Sequence, residues 1–265
     1  MSAPPDSPRT VALTAAREAG RILMEHLGRV EHVRYKGTID LVTEADEASE
    51  RRITEIIRAR FPEDQILAEE GGASGSPHAE RRWLVDPLDG TTNYAHAYPF
   101  FAVSIACELR GELQLGIVLA PALGELFLAE RGAGAFLNGE RLAVSATDSL
   151  IRSMLTTGFH YQPELIRRNL AAFERLVLSA QAVRRDGSAA LDLCYVAAGR
   201  FDGYWELGLN PWDTAAGALL VREAGGALTD AEGQPYRLGA GSVVASNGHI
   251  HEQLLAGIRG EGGEP

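Results

Sequence analysis

The segment Asp86-Pro87-Leu88-Asp89-Gly90-Thr91-Thr92 sets two carboxylates three residues apart and follows them with a Gly-Thr-Thr turn. It is entered from the apolar run Arg82-Trp83-Leu84-Val85. Carboxylate oxygens suit hard cations, and free backbone N–H groups at a turn or helix start suit phosphate. Standing alone, such a run is an ordinary strand-ending turn, because Asp, Pro and Gly all favour turns for local reasons. Two further acidic segments give it company. Ile66-Leu67-Ala68-Glu69-Glu70-Gly71-Gly72 reads as a short apolar strand that ends in two glutamates and a glycine turn. Asn210-Pro211-Trp212-Asp213-Thr214-Ala215-Ala216-Gly217 opens a helix, with Pro211 at its first position and Asp213 in its first turn. Singly, paired glutamates describe solvated surface, and an aspartate in a first helical turn is explained by the macrodipole.

The elements that must carry these residues follow from periodicity. Leu13, Ala16, Gly20, Leu23 and Leu27 keep the spacing of an amphipathic helix. A second helix starts near Thr43, with Asp46 three residues on as a capping acid, and stops before Pro62. Strands are expected at residues 66–69, 82–86, 101–109, 113–120 and 125–130, joined by Gly-containing turns. Residues 71–81 read as a short loop. Past about residue 145 the pattern alternates: a strand, a helix at 163–178, a strand, a helix at 188–199, a strand at 202–206 and a helix at 211–224. The expected organisation is an N-terminal α+β lobe, residues 1–145, carrying Glu69, Asp86 and Asp89. A C-terminal α/β lobe, residues 146–265, carries Asp213 and a substrate pocket.

Composition narrows the classes. A chain of 265 residues, 45% hydrophobic and 23% charged, has the make-up of a globular protein able to bury a sizeable core. Its formal net charge of −11 disfavours direct nucleic-acid binding, since phosphate backbones reward Lys and Arg. No stretch approaches the roughly 18 apolar residues of a membrane span. The Pro- and Ser-rich residues 1–8 read as an irregular lead-in and not as a signal peptide. Cytoplasmic residence is the expectation. Cys107 and Cys194 have no second Cys at metal-binding spacing and read as buried thiols. His26, His32, His78, His96, His160, His249 and His251 show no zinc-ligand spacing and read as structural or surface residues. No serine lies in a nucleophile-elbow context.

Taken together and in order, Glu69-Glu70, Asp86-Pro87-Leu88-Asp89-Gly90-Thr91-Thr92-Asn93 and Trp212-Asp213-Thr214-Ala215-Ala216-Gly217 resemble the inositol monophosphatase family, within a superfamily of Mg²⁺-dependent, lithium-sensitive phosphatases. Gly132-Ala133-Gly134-Ala135-Phe136-Leu137-Asn138-Gly139 and Gly187-Ser188-Ala189-Ala190-Leu191-Asp192-Leu193 extend the resemblance, which runs from the first helix to Ser246-Asn247. It implies a mixed α+β fold of the sugar-phosphatase type, a layered αβαβα sandwich, and a homodimer.

The resemblance also implies a chemistry: hydrolysis of a small phosphate monoester with two or three Mg²⁺ ions per site. Mg²⁺ takes near-octahedral oxygen ligands and keeps several waters, which monodentate carboxylates accommodate. By similarity, Glu69, Asp86 and the Leu88 carbonyl hold a first ion; Asp86, Asp89 and Asp213 hold a second; a third leans on Glu69 through water. Thr91, paired with Asp46, matches the residues that orient and deprotonate the nucleophile, and the N–H groups of Gly90 and Thr91 hold the phosphate. Gly187, Ser188, Ala189 and Glu206 match the pocket for sugar hydroxyls. Lys36 is the only lysine among 25 basic residues, and it falls in a segment that approaches the metal site in the related family. An ammonium beside phosphate is not equivalent to a guanidinium. The substrate expected is inositol monophosphate. Histidinol phosphate, fructose-1,6-bisphosphate and a nucleotide phosphate such as NADP or 3′-phosphoadenosine 5′-phosphate remain alternatives. A different class stays open too: a partner-binding regulatory protein with the site retained, for which Arg167-Arg168 and Arg184-Arg185 are the contact candidates.

Overall fold

The protein, as a computed structural model, is described over residues 6–29, 33–35 and 41–261. The expectations placed on residues 1–5 and on Lys36 lie outside the described residues. Capping chemistry starts the first helix earlier than periodicity alone suggests. Ser7 Oγ accepts the N–H of Thr10 at 3.2 Å, Pro8 takes the first helical position, and α1 runs over Pro8–His26. The expected irregular lead-in therefore ends before Ser7, because Ser followed by Pro is itself a helix-start signal. β1 (Val33–Tyr35) and β2 (Leu41–Thr43) pair antiparallel and lead into α2 (Glu44–Arg60).

A large sheet follows, made from β3 (Gln65–Ala68), β4 (Gly72–Ser74) and β5 (Arg81–Asp89), then, after the short α3 (Thr91–Ala95), from β6 (Ala102–Leu109), β7 (Glu112–Ala120), β8 (Glu125–Glu130), β9 (Gly134–Leu137) and β10 (Glu140–Arg141). Its strand order is β10-β9-β8-β7-β6-β5-β3-β4, antiparallel except for the parallel pair β3–β5. The stretch expected as a plain loop at residues 71–81 contains β4, which folds back on β3 to pair Ile66 with Ser74 and Ala68 with Gly72. A three-residue strand whose partner lies a few residues away carries too little alternation to be read beforehand.

The second sheet is built from β11 (Met154–Thr157), then, after α4 (Pro163–Ser179), from β12 (Ala182–Arg184), and, after α5 (Ala189–Ala197), from β13 (Gly203–Leu207). After α6 (Pro211–Glu223) come β14 (Ala227–Thr229), β15 (Ser242–Ser246) and the closing α7 (His251–Arg259). Its order is β12-β11-β13-β15-β14, parallel around β11 and antiparallel around β15.

Packing stacks these elements in five layers. α1 and α2 cover one face of the large sheet, and α5 and α6 lie between its other face and the second sheet. α4 and α7 cover the outer face of the second sheet. The result is the αβαβα sandwich. The central apolar cluster joins Leu84, Val118 and Phe127 of the large sheet to Leu191 and Leu193 of α5, Leu219 and Leu220 of α6, and Tyr204 and Val243 of the second sheet. Burial of that order, at about 25 cal/mol per Å² of apolar surface, holds the large sheet, α5, α6 and the second sheet together. Among the described residues no helix is long and apolar enough to cross a membrane.

Candidate active site

β5 carries the first pair of carboxylates, and a defect in its pairing aims them. In an unbroken strand, residues three apart point to opposite faces. Against β6, however, Asp86 sits opposite Ser104 and Asp89 opposite Ala102, three steps on one strand against two on the other. This bulge resets the alternation, and both aspartates line one cleft. Pro87, which has no N–H for the ladder, sits where its absence costs least. The bulge is pinned from both sides: Leu88 N–H donates to Asp86 Oδ1 at 3.0 Å, and Ser49 Oγ of α2 donates to the Pro87 carbonyl at 2.9 Å.

Glu69 comes from the neighbouring strand end. β3 runs parallel to β5, and the ladder continues one step past it, with Glu69 N–H donating to the Val85 carbonyl at 3.1 Å. Glu50, buried on α2, accepts the next two N–H groups, those of Glu70 at 2.8 Å and Gly71 at 2.7 Å. Asp213 enters from the other side of the cleft in the first turn of α6, where Asn210 N–H donates to its Oδ2 at 2.7 Å. α6 reaches that position because Gly116 of β7 has no side chain: a Cβ there would come within 2.8 Å of the Ala216 carbonyl.

Glu69, Asp86, Leu88, Asp89, Gly90, Thr91, Gly187, Ser188, Ala189, Glu206 and Asp213 all line this one cleft. Asp46 reaches it indirectly and does two jobs at once. Its Oδ2 accepts the Thr43 N–H at 2.9 Å and hydroxyl at 2.5 Å, which caps α2, while Oδ1 accepts the Thr91 hydroxyl at 3.2 Å. The same hydroxyl lies 3.0 Å from the Leu88 carbonyl. Gly90 takes a positive φ of 90°, open to glycine at no steric cost, and this turns the chain from β5 into α3. The N–H groups of the first turn of α3 have no carbonyl within the helix to bond.

The electrostatics are those of crowded acids. Burial first, then the negative charges of Glu69, Asp89 and Asp213, push Asp86 well above the usual carboxylate range. Asp213 is raised by burial as well, with the charges of Asp89, Glu69 and Glu206 adding to it against the Asn210 N–H. Burial lifts Asp89 to about 6, opposed by the Ser188 hydroxyl at 2.5 Å and the Ala190 N–H at 2.7 Å. Asp46 is pushed up to about 6 by burial, against its bonds from Thr43. Glu206 rises to about 7, again by burial, although it accepts the Tyr204 hydroxyl at 2.7 Å.

As the side chains lie, no three His, Cys, Asp or Glu groups among the described residues meet at the spacing of a metal site. Asp86, Asp89 and Asp213 each commit one oxygen to a donor within the protein. The donor set nonetheless fits a hard cation: it is all oxygen, and its mutual repulsion is what a divalent ion would relieve.

Sequence reading missed part of the wall. His160, expected to be structural or surface, lines the cleft beside Phe159 and Tyr161, in a loop held by Asn169 Nδ2 on the Gly158 carbonyl at 2.6 Å. Arg185, read from the sequence as either near the pocket or a solvated pair with Arg184, lines it as well. Nothing local marks that loop, since its place depends on α4. Glu50 did leave a signal. Asp46, Ser49 and Glu50 share the buried stripe of α2 with Ile53 and Ile57, and polar side chains on such a stripe need buried partners.

The family model for the inositol monophosphatase family matches residues 5–262. The chain belongs to the inositol monophosphatase family. A Pseudomonas aeruginosa protein named Nus factor SuhB is 46% identical over 256 residues, covering 94% of each chain. The inositol-1-monophosphatase of Synechocystis is 46% identical over 246 residues, 92% of this chain and 86% of that protein. The solved structure of extragenic suppressor protein SuhB from Bartonella henselae superposes with a TM-score of 0.91 at 42% identity, covering 95% of this chain and 98% of that one. Members of the inositol monophosphatase family thus share the whole length and architecture of this chain.

Proposed function

We propose that the chain hydrolyses a small phosphate monoester, inositol monophosphate first, in a Mg²⁺-dependent, lithium-sensitive reaction. One observation carries the reading: Glu69, Asp86, Asp89 and Asp213, from three separate elements, line one cleft with the Gly90 turn and with Glu206. Glu69, Asp86 and the Leu88 carbonyl would hold one ion; Asp86, Asp89 and Asp213 a second; a third would lean on Glu69. When bound, Mg²⁺ supplies charge neutralisation for the phosphate and lowers the pKa of water.

The protein groups do the rest. Gly90 and Thr91 N–H groups hold the phosphate oxygens. Thr91 Oγ1 orients the attacking water and takes its proton while passing its own to Asp46, 3.2 Å away. Asp46 is suited to that task, because a carboxylate raised to about 6 is ionised at neutral pH and still a competent base. Water attacks phosphorus as the bond to the leaving oxygen breaks, and the departing alkoxide takes a proton from solvent water. Gly187, Ser188, Ala189 and Glu206 face the alcohol part of the ester, where a carboxylate accepts hydrogen bonds from ring hydroxyls. Lys36 is proposed to assist at the same site by the family resemblance alone.

The test is phosphate release from inositol-1-phosphate, histidinol phosphate, fructose-1,6-bisphosphate, NADP and 3′-phosphoadenosine 5′-phosphate, with Mg²⁺, EDTA or added Li⁺. Mg²⁺-dependent, Li⁺-inhibited turnover concentrated on inositol-1-phosphate supports the reading, and preference for another ester moves the substrate. No release from any of them overturns it. A second reading rests on the Pseudomonas relative being named a Nus factor. In that reading the chain serves a regulatory partner, with Arg184 exposed and Arg167 and Arg168 in surface pairs with Glu164 and Glu232. If Asp86→Asn abolishes the cellular role, the site is needed; if it has no effect, partner binding is favoured. Homodimerisation is carried over from the family, and the exposed Ile151, Leu170, Val177 and Leu178 offer apolar surface for it.

A further inference from the structure

Asn93 belongs to the motif that resembles the family, yet the reaction outlined above gives it no task. Its side-chain amide faces carbonyls of two backbone segments. Nδ2 donates to the Phe100 carbonyl at 2.7 Å and the Asp186 carbonyl at 2.8 Å, and stands 3.4 Å from the Gly187 carbonyl. An amide nitrogen has two hydrogens, so the third contact is shared. The same crowding is visible at Gly90, where a Cβ would stand 3.0 Å from the Phe100 carbonyl and 3.2 Å from that of Gly187. The phosphate turn and the 186–188 turn thus approach closely, and Asn93 of the first donates to the Asp186 carbonyl beside the second and to the Phe100 carbonyl.

We propose that Asn93 is a positioning residue that clasps the turn at 186–188 to the phosphate turn at 90–93, fixing the distance between bound phosphate and the groups that read the alcohol. This rests on the substrate turn assigned under Proposed function. A second clasp runs beside it, from Ser188 Oγ and Ala190 N–H to Asp89 Oδ2. Misplacement of one turn against the other penalises esters that need both turns and spares those that need only the phosphate turn.

The experiment compares wild type with Asn93→Ala and with Asn93→Asp, which keeps the shape and removes the donor. Two quantities are read: the ratio of KM for inositol-1-phosphate to KM for phenyl phosphate, and amide hydrogen exchange over residues 186–191. The clasp predicts that the ratio rises about tenfold or more in both variants. It also predicts faster exchange at 186–191 with exchange in α6 unchanged, and partial recovery of both quantities in Asn93→Gln, which restores a donor. Equal rises in both KM values, or unchanged exchange in both variants, would overturn it. If wild type turns over neither ester, the phosphatase reading falls on its own, and exchange alone decides the clasp: faster exchange keeps it, unchanged exchange removes it.

Discussion

At the scale of single residues, the proposed substrate contact Glu206 shows how burial sets a pH response. Burial pushes its carboxyl up to about 7, so it loses its charge as the pH falls through that value. The KM for inositol-1-phosphate is therefore expected to rise below about pH 7, with bound cations moving the midpoint downward. Phenyl phosphate, which has no ring hydroxyls, should show no such rise. Glu206→Gln should raise the KM for the inositol ester by roughly 10- to 100-fold at pH 8, the worth of a charge-assisted hydrogen bond. Steady-state kinetics on the two esters across pH 6–9 checks both statements. That Glu69, Asp86, Asp89 and Asp213 would share one cleft was an expectation of the family resemblance, since each segment taken singly reads as a turn, surface or helix start. Asn93 was legible only as a motif letter, because its partners, the Asp186 and Gly187 carbonyls, lie far along the chain.

Whole elements decide where those residues stand. Glu50 of α2 accepts two consecutive N–H groups directly after Glu69, so the helix holds the turn that presents a proposed ligand. Glu50→Ala leaves both donors without that acceptor. The Mg²⁺ concentration for half-maximal activity should then rise about 10- to 100-fold, as for groups that orient metal ligands. Substrate KM at saturating Mg²⁺ should move far less, and a Mg²⁺ titration of initial rates separates the two. Most helices and long strands could be read beforehand, α2 from Thr43 and Asp46, β7 from its alternation. The bulge between Asp86 and Asp89 could not, because a register shift exists only once β6 is in place. β4 was hidden for a similar reason, its three residues having no pattern apart from β3.

The molecule as a whole gathers buried acids in one cleft lined by β5, β13 and the start of α6. The folded-state pKa of Glu206 is raised from 4.5 to about 7, so the protonated form is favoured by folding. That contribution is fully present below the unfolded pKa and is lost as pH rises through the folded one. In EDTA, Glu206→Gln should therefore melt above wild type at pH 8, by a few degrees, and close to it near pH 4.5. Millimolar Mg²⁺ should raise the wild-type melting temperature at pH 8, because an ion that binds only the native state stabilises it by mass action. Calorimetric scans at the two pH values, with and without Mg²⁺, test this pattern, and an unchanged melting temperature on adding Mg²⁺ would speak against a cation site. The alternation of strands and helices gave an α/β C-terminal half and the family resemblance gave the layered sandwich, whereas the joining of both sheets into one apolar cluster depends on contacts that no local pattern encodes. The most direct measurement is a Mg²⁺ titration of phosphate release from inositol-1-phosphate by wild type and Asp86→Asn, with EDTA as the blank. The account predicts saturable Mg²⁺ activation of wild type, no release in EDTA, and a loss of at least about a hundredfold in Asp86→Asn. Release that persists in EDTA, or an Asp86→Asn variant as active as wild type, would contradict it.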